Sequence, residues 1–331
     1  MTGRAPVVSR RRALTILAAG AGATLLPWLP ARARYFEWTG TAMGADATIR
    51  LYHHDRAVAA AAVEAARAEI ERLEELFSLY RPRSELSRLN RAGFLAQPSH
   101  DMRRIIALAR RFGELSDGAF DVTVQALWRL YTDHFARAGA DPAGPSPGAI
   151  ADALTRVDYR RIEATADRIA LAPGMEVTLN GIAQGYVTDR VAELLRGRGW
   201  SHVLVNLGET RALDGCAEGR PWSVALDGAR TENGAPIVIG LADRAVATSG
   251  GYATRFDPTG RHHHLFDPAR GESTHHYHAV TVVADDATTA DAISTALYVT
   301  APERAAALLG RAGKVEAWLT AVGGVTGRFG G

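Results

Sequence analysis

Two side chains near the carboxyl-terminal end have the spacing of a metal site. Asp291 and Thr295 are four residues apart in a segment, 290–300, that is predicted to be helical, so both project from one helix face. A carboxylate and a hydroxyl are hard oxygen ligands that suit Mg²⁺ when phosphate and water complete the coordination. The same spacing also fits an aspartate favoured by the helix dipole and a threonine bonded to a helix carbonyl. Spacing alone favours this second interpretation.

Histidine is concentrated in a second segment, which holds six of the eleven histidines of the chain. These are His262, His263, His264, His275, His276 and His278. Imidazoles at this density could bind zinc or copper. One of them could instead act as a general base, because the pKa of histidine lies near neutrality. A solvated loop is the third interpretation, and composition does not choose among the three.

A glycine-rich turn from Asn180 to Tyr186 is predicted to end a strand and to open a helix. Small residues at a helix start let backbone N–H groups approach an anion. The turn contains neither GxGxxG nor a Walker Gly-Lys-Ser/Thr, so neither standard nucleotide motif applies. Two other segments, 79–90 and 118–124, could line a cleft or serve only as turns. Within 79–90, a helix is predicted to start at Ser84.

A scaffold of helices and strands must position these segments. Strand character is predicted at 43–52, 168–172, 175–179 and 202–207, with several short strands within 222–283. Helical spacing of apolar residues is found at 56–79, 101–116, 181–198, 290–300 and 302–310. Because the two types do not strictly alternate, we expect an α+β fold of mixed sheets flanked by helices. Residues 34–331 are expected to form a single large domain of two intimate lobes.

Charge and cysteine content exclude several function classes. The 331 residues carry 38 basic and 36 acidic side chains, a net charge of +2, which argues against a broad nucleic-acid-binding surface. Five of the arginines lie in residues 1–33, which hold no acid; without them 33 basic residues face 36 acidic ones, a net charge of −3. The one cysteine, Cys216, excludes an intramolecular disulfide and a Cys-rich zinc site.

The first 33 residues have the pattern of an export signal. Arg10, Arg11 and Arg12 precede an apolar run from Ala13 to Trp28, and a small-x-small site ends at Ala33. Paired arginines before a mildly hydrophobic run resemble a twin-arginine signal, which would engage the twin-arginine export machinery. The run of about 16 residues is shorter than the ~20 needed to span a bilayer. We therefore expect cleavage and a periplasmic, not membrane-spanning, mature protein rather than an N-terminal anchor.

Eight segments in this order together resemble the FAD:protein FMN transferase family. They are Thr41–Gly44, Tyr80–Asn90, Gly118–Val124, Asn180–Asp189, Val205–Gly208, Ala247–Gly250, His264–Pro268 and Asp291–Leu297. They extend over roughly 41–300, nearly the whole chain after the signal. Members of this family cleave the pyrophosphate of FAD and attach the FMN half, through a phosphoester, to a threonine of a target protein. The likeness thus implies FAD as donor substrate and a protein as acceptor.

The resemblance also implies a role for each matching residue. Asp291 and Thr295 would bind Mg²⁺ through their side chains, with the carbonyl of Ala183 as a further ligand, which reverses the preference drawn from spacing. His264 would be the general base for the acceptor threonine. The FAD pocket would be lined by Met43, Tyr80, Asp121, Gly181, Ala183, Gln184, Gly185 and Ser249.

Departures from the family pattern keep two alternatives open. The family usually has Lys where this chain has Gln184, so a cation beside the pyrophosphate is missing. This motivates a periplasmic FAD pyrophosphate hydrolase or an FAD-holding protein, and the histidine-rich segment motivates a zinc- or copper-binding protein.

No cysteine follows the signal, unlike many lipoprotein relatives. The resemblance is greatest to the branch associated with denitrification, which flavinylates the periplasmic part of the membrane flavoprotein that supports nitrous oxide reductase.

Overall fold

The computed structural model of the protein describes residues 34–231 and 233–330, so the predicted signal at 1–33 lies outside the described residues. The strands are β1 Arg34–Ala42, β2 Ala45–His53, β3 Phe94–Ala96, β4 Glu163–Ala164, β5 Arg168–Ala170, β6 Val203–Asn206, β7 Thr210–Leu213, β8 Trp222–Arg230, β9 Pro236–Leu241, β10 Ala245–Ser249, β11 Phe266–Asp267, β12 Glu272–Ser273, β13 Ala279–Ala284, β14 Glu316–Thr320 and β15 Thr326–Gly330. The α-helices are α1 Arg56–Phe77, α2 Glu85–Ala92, α3 His100–Leu115, α4 Gln125–Phe135, α5 Pro147–Leu154, α6 Ala183–Gly197, α7 Ala287–Val299 and α8 Pro302–Ala312. Short 3₁₀ turns lie at Tyr159–Arg161 and Gly251–Ala253.

An eight-stranded sheet forms the centre of the molecule. Its strand order is β1-β2-β6-β7-β10-β13-β14-β15, and every neighbouring pair is antiparallel. Side chains alternate between its faces. Val203 and Val205 of β6 join the large apolar core with α1, α6 and α7, whereas Leu204 between them packs with the β8–β9 hairpin on the other face. The sheet is therefore covered on both sides, and α6 and α7 lie directly against it.

The predicted α+β class is confirmed, and five of the eight α-helices in the described residues are preceded by a residue whose side chain caps them. The side chains of Asp55 and Ser84 accept hydrogen bonds from the first turns of α1 and α2, and Ser99 does so for α3. Helix α7 begins at Ala287, earlier than the predicted 290, because Asp286 caps it through a hydrogen bond from Thr289 N. Within the described part of the chain, no helix has the length and hydropathy needed to cross a bilayer.

The structure differs from the sequence predictions at several elements, two of which line the cleft. Segment 175–179 does not form a strand. Asn90 Nδ2 donates to Val177 O and Asn90 Oδ1 accepts from Val177 N, both at 2.8 Å, and a single backbone hydrogen bond from Thr178 N to Val122 O does not extend into a ladder. Helix α4 was not predicted, although Val124, Leu127 and Trp128 begin a helical apolar pattern there.

Candidate active site

Two adjoining cavities open beside the amino-terminal end of α6 and one face of α7. Trp128, Asn180 and His264 line both, so together they form one cleft. Residues named by the sequence analysis lie in each part. Met43, Ala183 and Gln184 line the first cavity, and Asp121, Gly181, Ser249, Asp291 and Thr295 line the second. Segments that are far apart in the chain thus meet at one concave site, as ligand sites typically do.

Helices α6 and α7 touch backbone to backbone at this cleft. Gly185 N donates to Asp291 Oδ2 at 3.0 Å. A Cβ on Gly185 would lie 2.3 Å from the carbonyl oxygen of Ala287 and 2.8 Å from Asp291 Cβ. Glycine is therefore required for this approach of the two helices. Gly185 itself is buried in the contact and does not line either cavity.

The hydroxyl of Thr295 faces the neighbouring strand and turn. Thr295 Oγ1 lies 3.2 Å from Ser249 Oγ, and a Cβ on Gly181 would lie 3.1 Å from the same oxygen. It is Ser294 that bonds back to a helix carbonyl, that of Asp291, at 3.0 Å. Asp291 is the fifth residue of α7 and so does not cap the helix. Asp291, Thr295 and Ser249 all line the second cavity, and Ser249 Oγ also lies 2.8 Å from Ser294 Oγ.

His264 lies at the junction of the two cavities. Its Nδ1 is 3.2 Å from the carbonyl oxygen of Thr254, whose backbone also accepts from His264 N at 3.2 Å. The ring of Trp128 meets the imidazole edge to face, with centroids 6.0 Å apart. Since a carbonyl only accepts, Nδ1 is assigned as the protonated nitrogen and Nε2 as the atom with the lone pair. This is the tautomer that a general base acting through Nε2 requires.

Asp121 lines the second cavity, but its carboxylate also organises the loop around it. Oδ1 accepts from Thr123 N at 2.7 Å and from Thr123 Oγ1 at 2.6 Å, while Oδ2 accepts from Tyr159 N at 3.0 Å. Burial raises the pKa of Asp121, and the hydrogen bonds from Thr123 and Tyr159 oppose that rise. Both oxygens are thus committed to fixing the wall of the cavity.

Met43, Gln184 and Tyr80 have different placements. Met43 adopts a left-handed backbone with a φ of 51°, and its N–H donates to Glu74 in α1. The Gln184 side chain packs closely on Gly208, where a Cβ would lie 2.5 Å from Gln184 Nε2. Tyr80 is 71 % exposed and lies outside the linings of both cavities. The structure brings Met43 and Gln184 to the cleft and leaves Tyr80 on the surface.

The histidine-rich segment is divided among different surroundings, although the rings of His263 and His275 lie in contact, with centroids 5.0 Å apart. His262 and His263 are buried: His262 packs on Tyr131 and Phe135, and His263 Nε2 lies 2.8 Å from the carbonyl of Thr274. Histidines 275, 276 and 278 are exposed. In residues 34–231 and 233–330, no group of three or more His, Cys, Asp or Glu side chains is arranged to hold a metal ion. The segment therefore supplies buried packing, one cleft residue and a solvated surface.

Sequence reasoning missed Trp128 and the place of Asn180 in the cleft. Trp128 belongs to α4, and its apolar neighbours Val124, Leu127 and Tyr131 have the i, i+3, i+4, i+7 spacing of an amphipathic helix. That pattern could have predicted the helix. Only the fold brings its indole ring against His264.

Comparisons with known proteins identify the family of the chain. A model of the ApbE family matches residues 43–319. The chain belongs to the ApbE family. It is 31% identical over 303 residues to the FAD:protein FMN transferase of Treponema pallidum (strain Nichols), covering 84% of this chain and 82% of that protein. It is 33% identical over 241 residues to the protein of the same name from Haemophilus influenzae, covering 69% of each.

Solved structures of ApbE proteins have the same fold. The apo form of the Pseudomonas stutzeri flavinyl transferase ApbE matches with a TM-score of 0.77 and 28% identity, covering 90% of this chain and 95% of that one. The Thermotoga maritima ApbE protein matches with a TM-score of 0.76 and 28% identity, covering 89% of this chain and 97% of that one. The family resemblance found in the sequence is thereby confirmed.

Proposed function

We propose that this chain transfers FMN from FAD to a threonine of an acceptor protein. The observation that carries the proposal is the meeting of His264 with Asp291, Thr295 and Gly181 in one cavity. A base and a set of hard oxygens in one cleft suit phosphoryl-type transfer, which depends on positioning and charge stabilisation. Membership of the ApbE family and relatives named FAD:protein FMN transferase support the same activity.

The residues around α7 fit Mg²⁺. The carboxylate of Asp291, the hydroxyl of Thr295 and the carbonyl of Ala183 are hard oxygen donors, and only one of them carries a formal charge. A site with so few protein charges leaves coordination positions for the phosphates of FAD and for water. Bound Mg²⁺ would neutralise charge on the pyrophosphate. Asp291, held by Gly185 N, is already oriented toward the cavity.

The chemistry that we assign to His264 is proton removal. The acceptor threonine Oγ attacks the phosphorus of the FMN half, so a new P–O bond forms, the pyrophosphate P–O bond breaks and AMP leaves. The threonine proton passes to Nε2 of His264, while Nδ1–H remains bonded to the Thr254 carbonyl. The indole ring of Trp128 packs against the imidazole of His264, and Trp128 lines both cavities of the cleft. Ala183 and Gln184 at the start of α6 line the first cavity, where their backbone would face the phosphates of bound FAD, as at other helix amino termini.

The proposed setting is the periplasm. Residues 1–33 would direct export through the twin-arginine machinery, and the domain beginning at residue 34 would act there on a periplasmic or membrane-anchored flavoprotein. We propose the flavoprotein that supports nitrous oxide reductase as the acceptor. Replacing Arg10, Arg11 and Arg12 by lysine tests the route. Retention of the protein in the cytoplasmic fraction is expected, and unchanged export would contradict this part of the proposal.

A transfer assay tests the activity. The protein is incubated with FAD, Mg²⁺ and the acceptor domain, and the acceptor mass and released AMP are measured. We expect one FMN increment per acceptor and one AMP per increment. FMN and AMP released without an acceptor would favour the FAD hydrolase, and bound FAD with no turnover would favour the FAD-holding protein. An unmodified acceptor across several candidates would contradict the proposal.

A further inference from the structure

A buried carboxylate joins α6, α7 and β7 outside the cleft. Asp189 of α6 is 5% exposed and forms an ion pair with Arg211 of β7, which is 9% exposed. Its Oδ1 accepts from Ala287 N at 2.8 Å, and its Oδ2 accepts from Thr288 N at 2.8 Å and from Thr288 Oγ1 at 2.5 Å. One side chain of α6 therefore holds the first two residues of α7.

The contact lies one helical turn from the cleft contact. Asp189 follows Gly185 by four residues on α6, and Asp291 follows Ala287 by four on α7. Residues four apart share one face of a helix. The two helices are thus joined at two successive levels, by Gly185 N on Asp291 and by Asp189 on the start of α7. Two fixed points one turn apart determine both the separation and the register of the helices.

Ordinary capping of α7 does not require Asp189. Asp286 already provides the N-cap, since its Oδ1 accepts from Thr289 N at 2.7 Å and its Oδ2 lies 3.0 Å from Thr289 Oγ1. Asp189 comes from another helix and takes different donors. A negative charge at a helix amino terminus is favourable. Because this charge belongs to Asp189 of α6, it also attaches the start of α7 to α6. Asp189 thus connects two helices, whereas an N-cap residue only begins one.

We propose that Asp189, held by Arg211, is a positioning residue that fixes α7 against α6 and thereby sets the Mg²⁺ affinity of the cleft. The inference rests on the proposed function, because Asp291 and Thr295 on α7 and the Ala183 carbonyl on α6 are its Mg²⁺ ligands. The ligands come from both helices, so a change in helix register separates them. Partners that orient ligands in this way typically change metal affinity by about 10- to 100-fold when they are removed.

Paired substitutions in the first turn of α7 test this inference. Thr288→Val removes only the hydroxyl bond to Asp189, and Thr289→Val removes the matching bond to Asp286. MgCl₂ is titrated calorimetrically into the FAD-saturated protein, and thermal unfolding is recorded for both variants. We expect about tenfold weaker Mg²⁺ binding for Thr288→Val and unchanged binding for Thr289→Val, with Tm lowered in both.

The outcomes separate this inference from the proposed function. Equal Mg²⁺ affinity in the wild type and both variants would overturn the positioning role while leaving FMN transfer by the wild type intact. A wild type that transfers no FMN would instead overturn the proposed function. Asp189→Asn extends the series: a folded variant whose transfer recovers at high Mg²⁺ concentration supports the inference. If Asp189→Asn does not fold, Thr288→Val still decides.

Discussion

The α6–α7 contact and the histidine-rich segment from His262 to His278 both hold side chains that commonly bind metals, but the fold uses them differently. In the first, a few oxygens face a cavity while the helices behind them are fixed by buried hydrogen bonds. In the second, six histidines in 17 residues are divided among a buried aromatic cluster, the cleft and the solvent. The α6–α7 contact, which has fewer such side chains, is the region that brings them together at one cavity.

The difference shows that the formation of a metal site depends more on the directions of the side chains than on their number in a segment. Side chains four apart on a helix share a face whatever the rest of the chain does. Histidines that flank the β11–β12 hairpin take their directions from the pairing of that hairpin and from burial. His263 is held by Thr274 O and His262 by ring packing, so each faces a different environment. Histidine density in a sequence therefore predicts a metal site poorly unless the elements are known.

Asp291→Asn should have the largest effect on activity. The amide keeps an oxygen that can accept from Gly185 N, but it loses the charge that the proposed Mg²⁺ site requires. We expect FMN transfer to fall by about a thousandfold, in line with the loss of several kcal/mol of charge stabilisation. Asp285→Asn is the matched control, because this exposed residue loses the same charge just before α7. Comparable transfer rates in the two variants would contradict the role of Asp291.

His264→Gln should come next. Removing a general base commonly costs about 10²- to 10⁴-fold in rate. The rate of transfer should fall in this range at saturating FAD, whereas Mg²⁺ binding measured by calorimetry should stay unchanged. His276→Gln provides the comparison, since it removes an exposed imidazole from the same segment. If both substitutions left the rate near that of the wild type, His264 would not be the base.

His263 should affect stability rather than transfer. Burial, assisted by nearby His275, lowers the pKa of His263 from 6.5 to about 4. As pH falls from 6.5 to 4, the unfolded chain takes up this proton before the folded one does. This difference in proton uptake contributes on the order of 3 kcal/mol to the free energy of unfolding. The contribution is fully present above pH 6.5 and is lost toward pH 4. Urea unfolding of the wild type and His263→Gln across this window measures the difference, and parallel pH profiles would contradict the assignment.

The smallest effect is expected for the exposed histidines. The double variant His275→Gln/His276→Gln should keep its transfer rate and Mg²⁺ affinity within about twofold of the wild type, because surface substitutions away from special features change little. Metal analysis of the untagged protein completes the comparison. Stoichiometric zinc or copper that is lost in this variant would revive the metal-binding alternative.

Local signals in the sequence predicted much of the scaffold. The helix start at Ser84, the apolar spacing of α1 and the strand at 203–206 follow from short-range preferences that the tertiary structure preserves. Segment 175–179 did not follow, because a strand needs a ladder of backbone hydrogen bonds. Here the side chain of Asn90 takes both backbone groups of Val177, and Thr178 N donates singly to Val122 O. Cavity walls were harder to predict than helices, since Trp128 reaches His264 only through the packing of α4.

The sequence by itself determined the α+β class, the family and the shared helix face of Asp291 and Thr295, because composition, ordered motifs and helical period are local properties. Only the tertiary structure decided that this face meets Gly185, that His264 rather than its neighbours lines the cleft and that Asp189 holds the start of α7. These contacts join residues about a hundred positions apart, as in the 106 between Gly185 and Asp291. Their geometry follows from how helices pack on a sheet, which no local pattern contains.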